Sequence, residues 1–268
     1  MQNSIAAIFV EARRTGAVVD AYPGEAPSSL EAAYRIQDDA IARSRRTIGG
    51  WKVGRIASDL AAKFGAERIA GPIFADSIVA SLPGTVPSVP LLTGFAAIEA
   101  ELLLRVKNTP PSGLTLAKAL DYVDEVRFGL EVASSPFPGI NDFGPTVTVS
   151  DFGNNFGLVL GPPIEDWRGR DLLAAPVQLS IDSHVVGRAC LQDMLDGPFG
   201  AFCFLADCLH RRGHVLEPGH WVSTGAITGV HPFAPGERAD ATFDDAYSVA
   251  CRGVAFVEGA GIAGRAPQ

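Results

Sequence analysis

Apolar and polar positions change rhythm after the first part of the chain. Early on they recur at helical spacing. Ile5 to Arg14 reads as a short amphipathic helix ending near Gly16, and a longer one runs through Tyr34, Ile36, Ala40 and Ile41. Ser28-Ser29-Leu30-Glu31 before the second is a capping-box pattern, and the run is expected to stop near Gly49-Gly50. Arg43, Arg45 and Arg46 near its end suit the negative pole of the helix dipole. Ser58 to Phe64, Leu116 to Val123 and Phe202 to Arg211 read as further helices, the last closed by Gly213.

The remainder alternates or forms short apolar runs between Gly/Pro turns. Gly71 to Ile78 reads as a turn entering a strand, and Pro83, Pro87 and Pro90 punctuate the segment of strands and turns after it. Further strands are expected at Gly157 to Gly161, Trp221 to Thr224, Glu237 to Phe243 and Tyr247 to Glu258. Pro176 to Leu191 reads as a hairpin turning near Asp182-Ser183-His184. Ser134 to Asn155, rich in Pro, Gly, Asn and Asp, reads as a long loop of the kind that serves as an active-site lid. The pattern predicts an α+β chain with N-terminal helices and a mixed β-roll or sandwich core. We expect one domain over 1–268, with 1–65 mostly helical and 66–268 rich in β-structure.

One strand breaks its own pattern. In Ala97-Ile98-Glu99-Ala100-Glu101-Leu102 two carboxylates interrupt an apolar run, and residues i and i+2 of a strand share a face roughly 7 Å apart. Side by side in a half-buried setting, two ionised carboxylates repel each other and lose hydration. A solvated strand face would carry the same pattern. Glu131 tips the balance, being again a lone acid in an apolar run, Phe128 to Ala133. Three isolated acids in two such runs suggest one shared centre, and oxygen-only ligands favour Mg²⁺, Mn²⁺ or Ca²⁺.

Lys52, in Gly49-Gly50-Trp51-Lys52-Val53-Gly54, reads two ways. It can snorkel to the surface, or it is a partly buried ammonium that binds a carboxylate or moves a proton with a lowered pKa. Asp76, the only acid in Gly71 to Ile78, has a solvated turn as its plain reading.

Composition narrows the choice. The chain has 268 residues, 47% of them hydrophobic and 19% charged, which is globular rather than disordered. A net charge of −8 argues against nucleic acid as the main partner. Cys190, Cys203, Cys208 and Cys251 form no CxxC pair and read as free thiols. Met1 to Asp20 lacks the apolar core of a signal peptide, and no run approaches the roughly 18 apolar residues of a membrane span. A cytoplasmic protein without membrane contact is expected. There is no phosphate loop, nucleophile elbow or dinucleotide fingerprint.

Several motifs occur in a telling order: Gly-Trp-Lys-Val-Gly, Gly-Pro-Ile-Phe-Ala-Asp-Ser, the Glu-x-Glu strand, the Glu131 strand, and Leu216-Glu217-Pro218-Gly219 followed by Gly225 and Gly229. From about Tyr34 to Phe256 the chain resembles the 2-keto-4-pentenoate hydratase branch of the fumarylacetoacetate hydrolase superfamily. The resemblance implies strands rolled around Mg²⁺ or Mn²⁺ held by Glu99, Glu101 and Glu131, a 2-oxo acid substrate from aromatic ring cleavage, and a homo-oligomer. It places Lys52 as the active-site lysine and Asp76 as the nearby acid. Three departures fall where substrate and water would sit: Ala133-Ser134-Ser135 in place of an acid and an arginine, Asn154-Asn155 where small residues and a serine are usual, and Thr224-Gly225-Ala226 in place of Thr-Gly-Ser. Asn155 and Thr224 are thereby candidate substrate contacts. Hydration of a 2-hydroxydienoate is the first expectation. The alternatives are C–C hydrolysis of an acylpyruvate such as maleylpyruvate or fumarylpyruvate, decarboxylation of a 4-oxalocrotonate, and a non-catalytic partner subunit. No histidine precedes His184, which counts against the usual C–C hydrolase arrangement, and all five histidines read as surface or structural residues.

Overall fold

The computed structural model describes residues 4–82 and 84–258, so Pro83 and both ends of the expected 1–268 domain lie outside the described residues. Six helices are described: α1 (Ile5–Thr15), α2 (Leu30–Ser44), α3 (Ser58–Phe64), α4 (Leu116–Ala119), α5 (Pro145–Ser150) and α6 (Gly197–Arg212). The strands begin with β1 (Ile48–Arg55), β2 (Arg68–Phe74), β3 (Ile78–Ala80), β4 (Ser88–Leu91), β5 (Phe95–Val106), β6 (Val123–Ser135) and β7 (Asn155–Pro163). They continue with β8 (Pro176–Ile181), β9 (His184–Cys190), β10 (Trp221–Ser223), β11 (His231–Pro232), β12 (Arg238–Phe243) and β13 (Tyr247–Ala255).

Two mixed sheets pack face to face, which is the expected α+β architecture. The larger runs β2-β1-β10-β5-β6-β7-β3, with β11 also on β5; the smaller runs β4-β13-β12-β8-β9. The antiparallel β5–β6 pair is the spine, extending from Phe95 opposite Ser135 to Val106 opposite Val123. Alternation assigns its two faces. Ile98, Ala100, Leu102, Leu104, Phe128, Leu130 and Val132 join the main core with Leu179, Ala241, Phe243 and Val249 of the smaller sheet and Phe202 and Leu205 of α6. Each of the larger of these side chains, fully buried, contributes about 1.5–3 kcal/mol. The opposite face carries Glu99, Glu101 and Glu131, and the helices α1, α2 and α5 lie on that side of the molecule.

The differences from expectation have local causes. Ser29, not Ser28, caps α2, its Oγ accepting from the Ala32 N–H at 3.2 Å. The helix ends at Arg45 in a left-handed conformation, φ 54°, and Gly49 and Gly50 belong to β1. Gly50 serves close strand approach, since a Cβ there would strike the Trp221 backbone carbonyl of the parallel neighbour β10. Leu116 to Val123 is only partly helical, because Val123 already begins β6. The expected loop from Ser134 to Asn155 is largely ordered structure. β6 continues to Ser135, α5 follows, and Phe137, Ile140 and Val147 are buried against Phe9 of α1. Its Pro and Gly residues mask this apolar spacing.

Gly71 sits opposite Lys52 on β2 and faces the Phe152 carbonyl so closely that a Cβ would collide with it. Gly71→Ala is therefore expected to cost about 1–3 kcal/mol through forced displacement of that backbone. Thermal denaturation checks this; a melting temperature equal to wild type would contradict the packing described.

Candidate metal centre

Strand register gathers the acids. Glu99 lies directly opposite Glu131, Glu101 lies opposite Gly129, and the β5 position two beyond Glu101 is paired with Ser223 of β10. Ser223 in turn lies beside Lys52 of β1. Cross-strand partners share a face, so one lysine and three carboxylates from neighbouring strands project to the same side. One oxygen from each of Glu99, Glu101 and Glu131 lies within 4.8 Å of the others. Lys52 Nζ stands 3.2 Å from Glu131 Oε1.

The site is closed. Glu101 and Glu131 have no exposed surface, and Glu99 and Lys52 are each 5% exposed. Burial is the main force acting on Glu99, with repulsion from Glu131 added and attraction to Lys52 opposed; its pKa is pushed up to about 7. Glu101 is raised well above the usual carboxylate range, first by burial, then by Glu131 and Glu99. Burial alone would lower the Lys52 pKa, but Glu131, Glu99 and Glu101 together outweigh it and hold the ammonium charged. Lys52 therefore neither snorkels nor has the lowered pKa considered for it.

Hydrogen bonds leave selected oxygens free. Ser223 Oγ and the Gly225 N–H donate to Glu101 Oε2 at 2.6 and 2.8 Å. The Asn155 side-chain amide donates to Glu131 Oε1 at 3.1 Å. Glu101 Oε1 and Glu131 Oε2 are buried and accept no hydrogen bond from the described residues. Buried oxygens of this kind call for a partner. Three carboxylates facing one ammonium leave a formal surplus of two negative charges, the charge a divalent cation brings. Oxygens around a Mg²⁺ ion lie at about 2.0–2.1 Å from it, and three carboxylate oxygens gathered within 4.8 Å of one another are close enough to share such an ion. The donor set fits a hard divalent ion.

The other expected residues divide. Asn155 is at the centre, but its amide is spent on Glu131 rather than left free. Thr224 is buried and its hydroxyl donates to the Leu102 carbonyl at 2.8 Å, clamping the segment after β10 onto β5. Asp76 is not brought to the cluster: it lies in the one-turn helix Ala75–Ser77, with its side chain 65% exposed and bound by Arg46. Ser223 and the Gly225 N–H went unread in the sequence, because a backbone donor and a short serine carry no pattern of their own. Arg13, bound to Asp151 and to the Asn155 carbonyl, was also missed. Its spacing from Ala6 and Phe9, on the apolar stripe of α1, was the available signal.

No protein-family model matches the chain. It is similar to 4-oxalocrotonate decarboxylase of Pseudomonas sp. (strain CF600), 26% identical over 156 residues, a match spanning 58% of this chain and only 59% of that protein's length. Among solved structures it resembles 4-oxalocrotonate decarboxylase from Pseudomonas putida G7, complexed with magnesium and adipate. There the TM-score is 0.79 at 22% identity, covering 93% of this chain and 96% of that one. Fumarylpyruvate hydrolase from Pseudomonas aeruginosa, with Mn²⁺ and pyruvate, matches at a TM-score of 0.58 and 19% identity, covering 79% and 90%. The fold is thus of the fumarylacetoacetate hydrolase type.

The raised Glu99 pKa has a defined consequence for stability. The unfolded carboxyl releases its proton near 4.5 and the folded one near 7, so in that window the folded state binds more protons and stability falls as pH rises. In chelator, Glu99→Gln is expected to flatten this part of the wild-type melting curve against pH. Parallel slopes in the two proteins would refute the burial and repulsion described. Glu101→Gln should likewise raise the melting temperature of the metal-free protein near pH 8 by removing an acid whose ionisation the buried site opposes.

Proposed function

We propose that this chain is a metal-dependent enzyme of the fumarylacetoacetate hydrolase superfamily that acts on 2-oxo acids, with decarboxylation of a 4-oxalocrotonate-type substrate as the leading reaction. Glu99, Glu101 and Glu131 would hold Mg²⁺ or Mn²⁺. Once bound, the ion would supply a Lewis acid to draw electrons toward the 2-oxo oxygen.

The observation that carries this reading is the buried cluster of three carboxylates facing a protonated lysine. In decarboxylation of a 2-oxo-3-enoate whose distal carboxylate sits on the saturated carbon next to the alkene, the C–C bond to that carboxylate breaks and CO₂ leaves. The electron pair passes through the alkene to the 2-oxo oxygen, giving an enolate that is later protonated on carbon. The chain must then bind the 2-oxo end, stabilise negative oxygen and hold a proton. Lys52 places an ammonium where the oxyanion grows and carries the proton to be returned. Substrate would approach from the Glu99–Lys52 side, where the cluster keeps its residual exposure. The curated relative and the decarboxylase structure of the same activity support the assignment.

Hydration of a 2-hydroxydienoate, the first expectation from sequence, is the second reading. It asks for a group to take a proton from water, and neither Asp76, the acid expected for this, nor the histidines with assigned partners stand free for that task. Asp76 is bound to Arg46, His214 to Asp38, and His231 meets the Thr228 carbonyl. Homo-oligomeric assembly in the cytoplasm belongs to the same proposal, with light scattering as the check on assembly. No helix among the described residues is long and apolar enough to cross a membrane.

Product analysis with Mn²⁺ and a panel of 2-oxo acids separates the readings. CO₂ from 2-oxohex-3-enedioate is expected; water addition or pyruvate release without CO₂ would overturn decarboxylation. Lys52→Met should lower kcat by about 10²–10⁴. In calorimetry, Mg²⁺-dependent binding of oxalate, an enolate mimic, should vanish in Glu101→Ala. Unchanged binding there contradicts the metal assignment.

A further inference from the structure

Helix α1 carries a cation on its apolar stripe. Arg13 lies four residues after Phe9 and seven after Ala6, and all three are buried. A guanidinium in such a place needs its donors used. Nη1 donates to the Asn155 carbonyl at 2.8 Å, and Nη2 donates to the Asp151 carbonyl at 3.1 Å and to its Oδ2 at 2.9 Å. Nε completes a forked pair with Asp151 Oδ1. Asp151 is fully buried and also accepts from Ser135 Oγ at 2.6 Å. The guanidinium carbon lies 5.1 Å from the ring centre of Phe152 and 5.6 Å from that of Phe156.

The segment held in this way is unusual. Phe152, Gly153 and Asn154 are consecutively left-handed, with φ of 55°, 64° and 66°. Bulky residues keep that conformation only where their surroundings over-determine it. On its other side the turn meets the metal centre. A Cβ on Gly153 would sit 3.4 Å from Lys52 Cδ, and the amide of Asn155 is bound to Glu131 Oε1. A continuous set of contacts therefore joins helix α1 to one of the carboxylates.

We infer that Arg13 is a positioning residue: from the N-terminal helix it sets the Phe152–Asn155 turn and, through the Asn155 amide, the direction in which Glu131 presents its free oxygen. The inference rests on the metal-centre reading above. It makes α1, distant in sequence from every acid of the cluster, part of the site. An ion pair that merely tied helix to sheet would stabilise the fold without touching Glu131.

The test uses the full chain and Mn²⁺, with affinity read by electron paramagnetic resonance and local opening by hydrogen exchange. Arg13→Gln alone would strand the Asp151 charge, so the main variant is Arg13→Gln with Asp151→Asn, a neutral pair. It is expected to weaken Mn²⁺ binding about 10–100-fold, as loss of outer contacts to metal ligands does. It should also speed exchange over residues 151–158 while leaving β5 protected. Arg13→Lys keeps the charge but loses the fork, and should weaken Mn²⁺ while melting near wild type; it serves if the neutral pair does not fold. The discriminating arm adds the pair to Asn155→Ala. Action through Asn155 predicts no further loss of affinity there, whereas an independent structural role predicts additive losses. Additivity, or wild-type affinity in the variants, would overturn the inference. A wild-type protein that binds no Mn²⁺ would instead overturn the metal reading, and the inference with it.

Discussion

Three buried carboxylates held against a single ammonium are the constraint on which the rest of this molecule depends. Charges in a closed site lose hydration that only close partners can replace. Lys52 compensates one of the three, leaving Glu99 and Glu101 displaced toward their protonated forms. The fold tolerates this because the cluster sits on the most heavily braced pair of strands. Without β10 the two donors on Glu101 would be lost, and without β7 the amide on Glu131.

The two faces of the β5–β6 spine divide the labour. One face is almost purely aliphatic and aromatic and closes the sandwich with the smaller sheet and α6. Its burial supplies the favourable free energy that lets the other face carry charge. Helices α1, α2 and α5 lie on that charged side: Arg13 of α1 binds the turn from Asp151 to Asn155, and Gln37 of α2 donates to the Val149 carbonyl of α5 at 2.8 Å. A buried charged cluster of this kind is at once enclosed and destabilising, in keeping with the general antagonism between stability and clustered buried charge.

The sequence made part of this legible. The period-two placement of Glu99 and Glu101, and the isolation of Glu131, predicted a shared face because strand alternation is a strict geometric rule. Lys52 was ambiguous, since flanking glycines fit a surface turn as well as close strand packing, and only the neighbouring strands decide. The stretch from Ser134 to Asn155 reads as a loop because Pro, Gly and Asn outweigh the sparse apolar anchors Phe137, Ile140 and Val147. Asp76 shows the limit of order along a chain: a motif can align while its side chain turns outward to a local arginine. Backbone donors such as the Gly225 N–H leave no mark in a sequence at all.

The hydrogen bonds within the cluster bear on denticity. Glu101 has one oxygen saturated by Ser223 and Gly225, and Glu131 has one engaged by Lys52 and Asn155. Each would thereby offer a divalent ion one oxygen rather than two. Side chains that give single oxygens would leave positions around such an ion open to a further ligand.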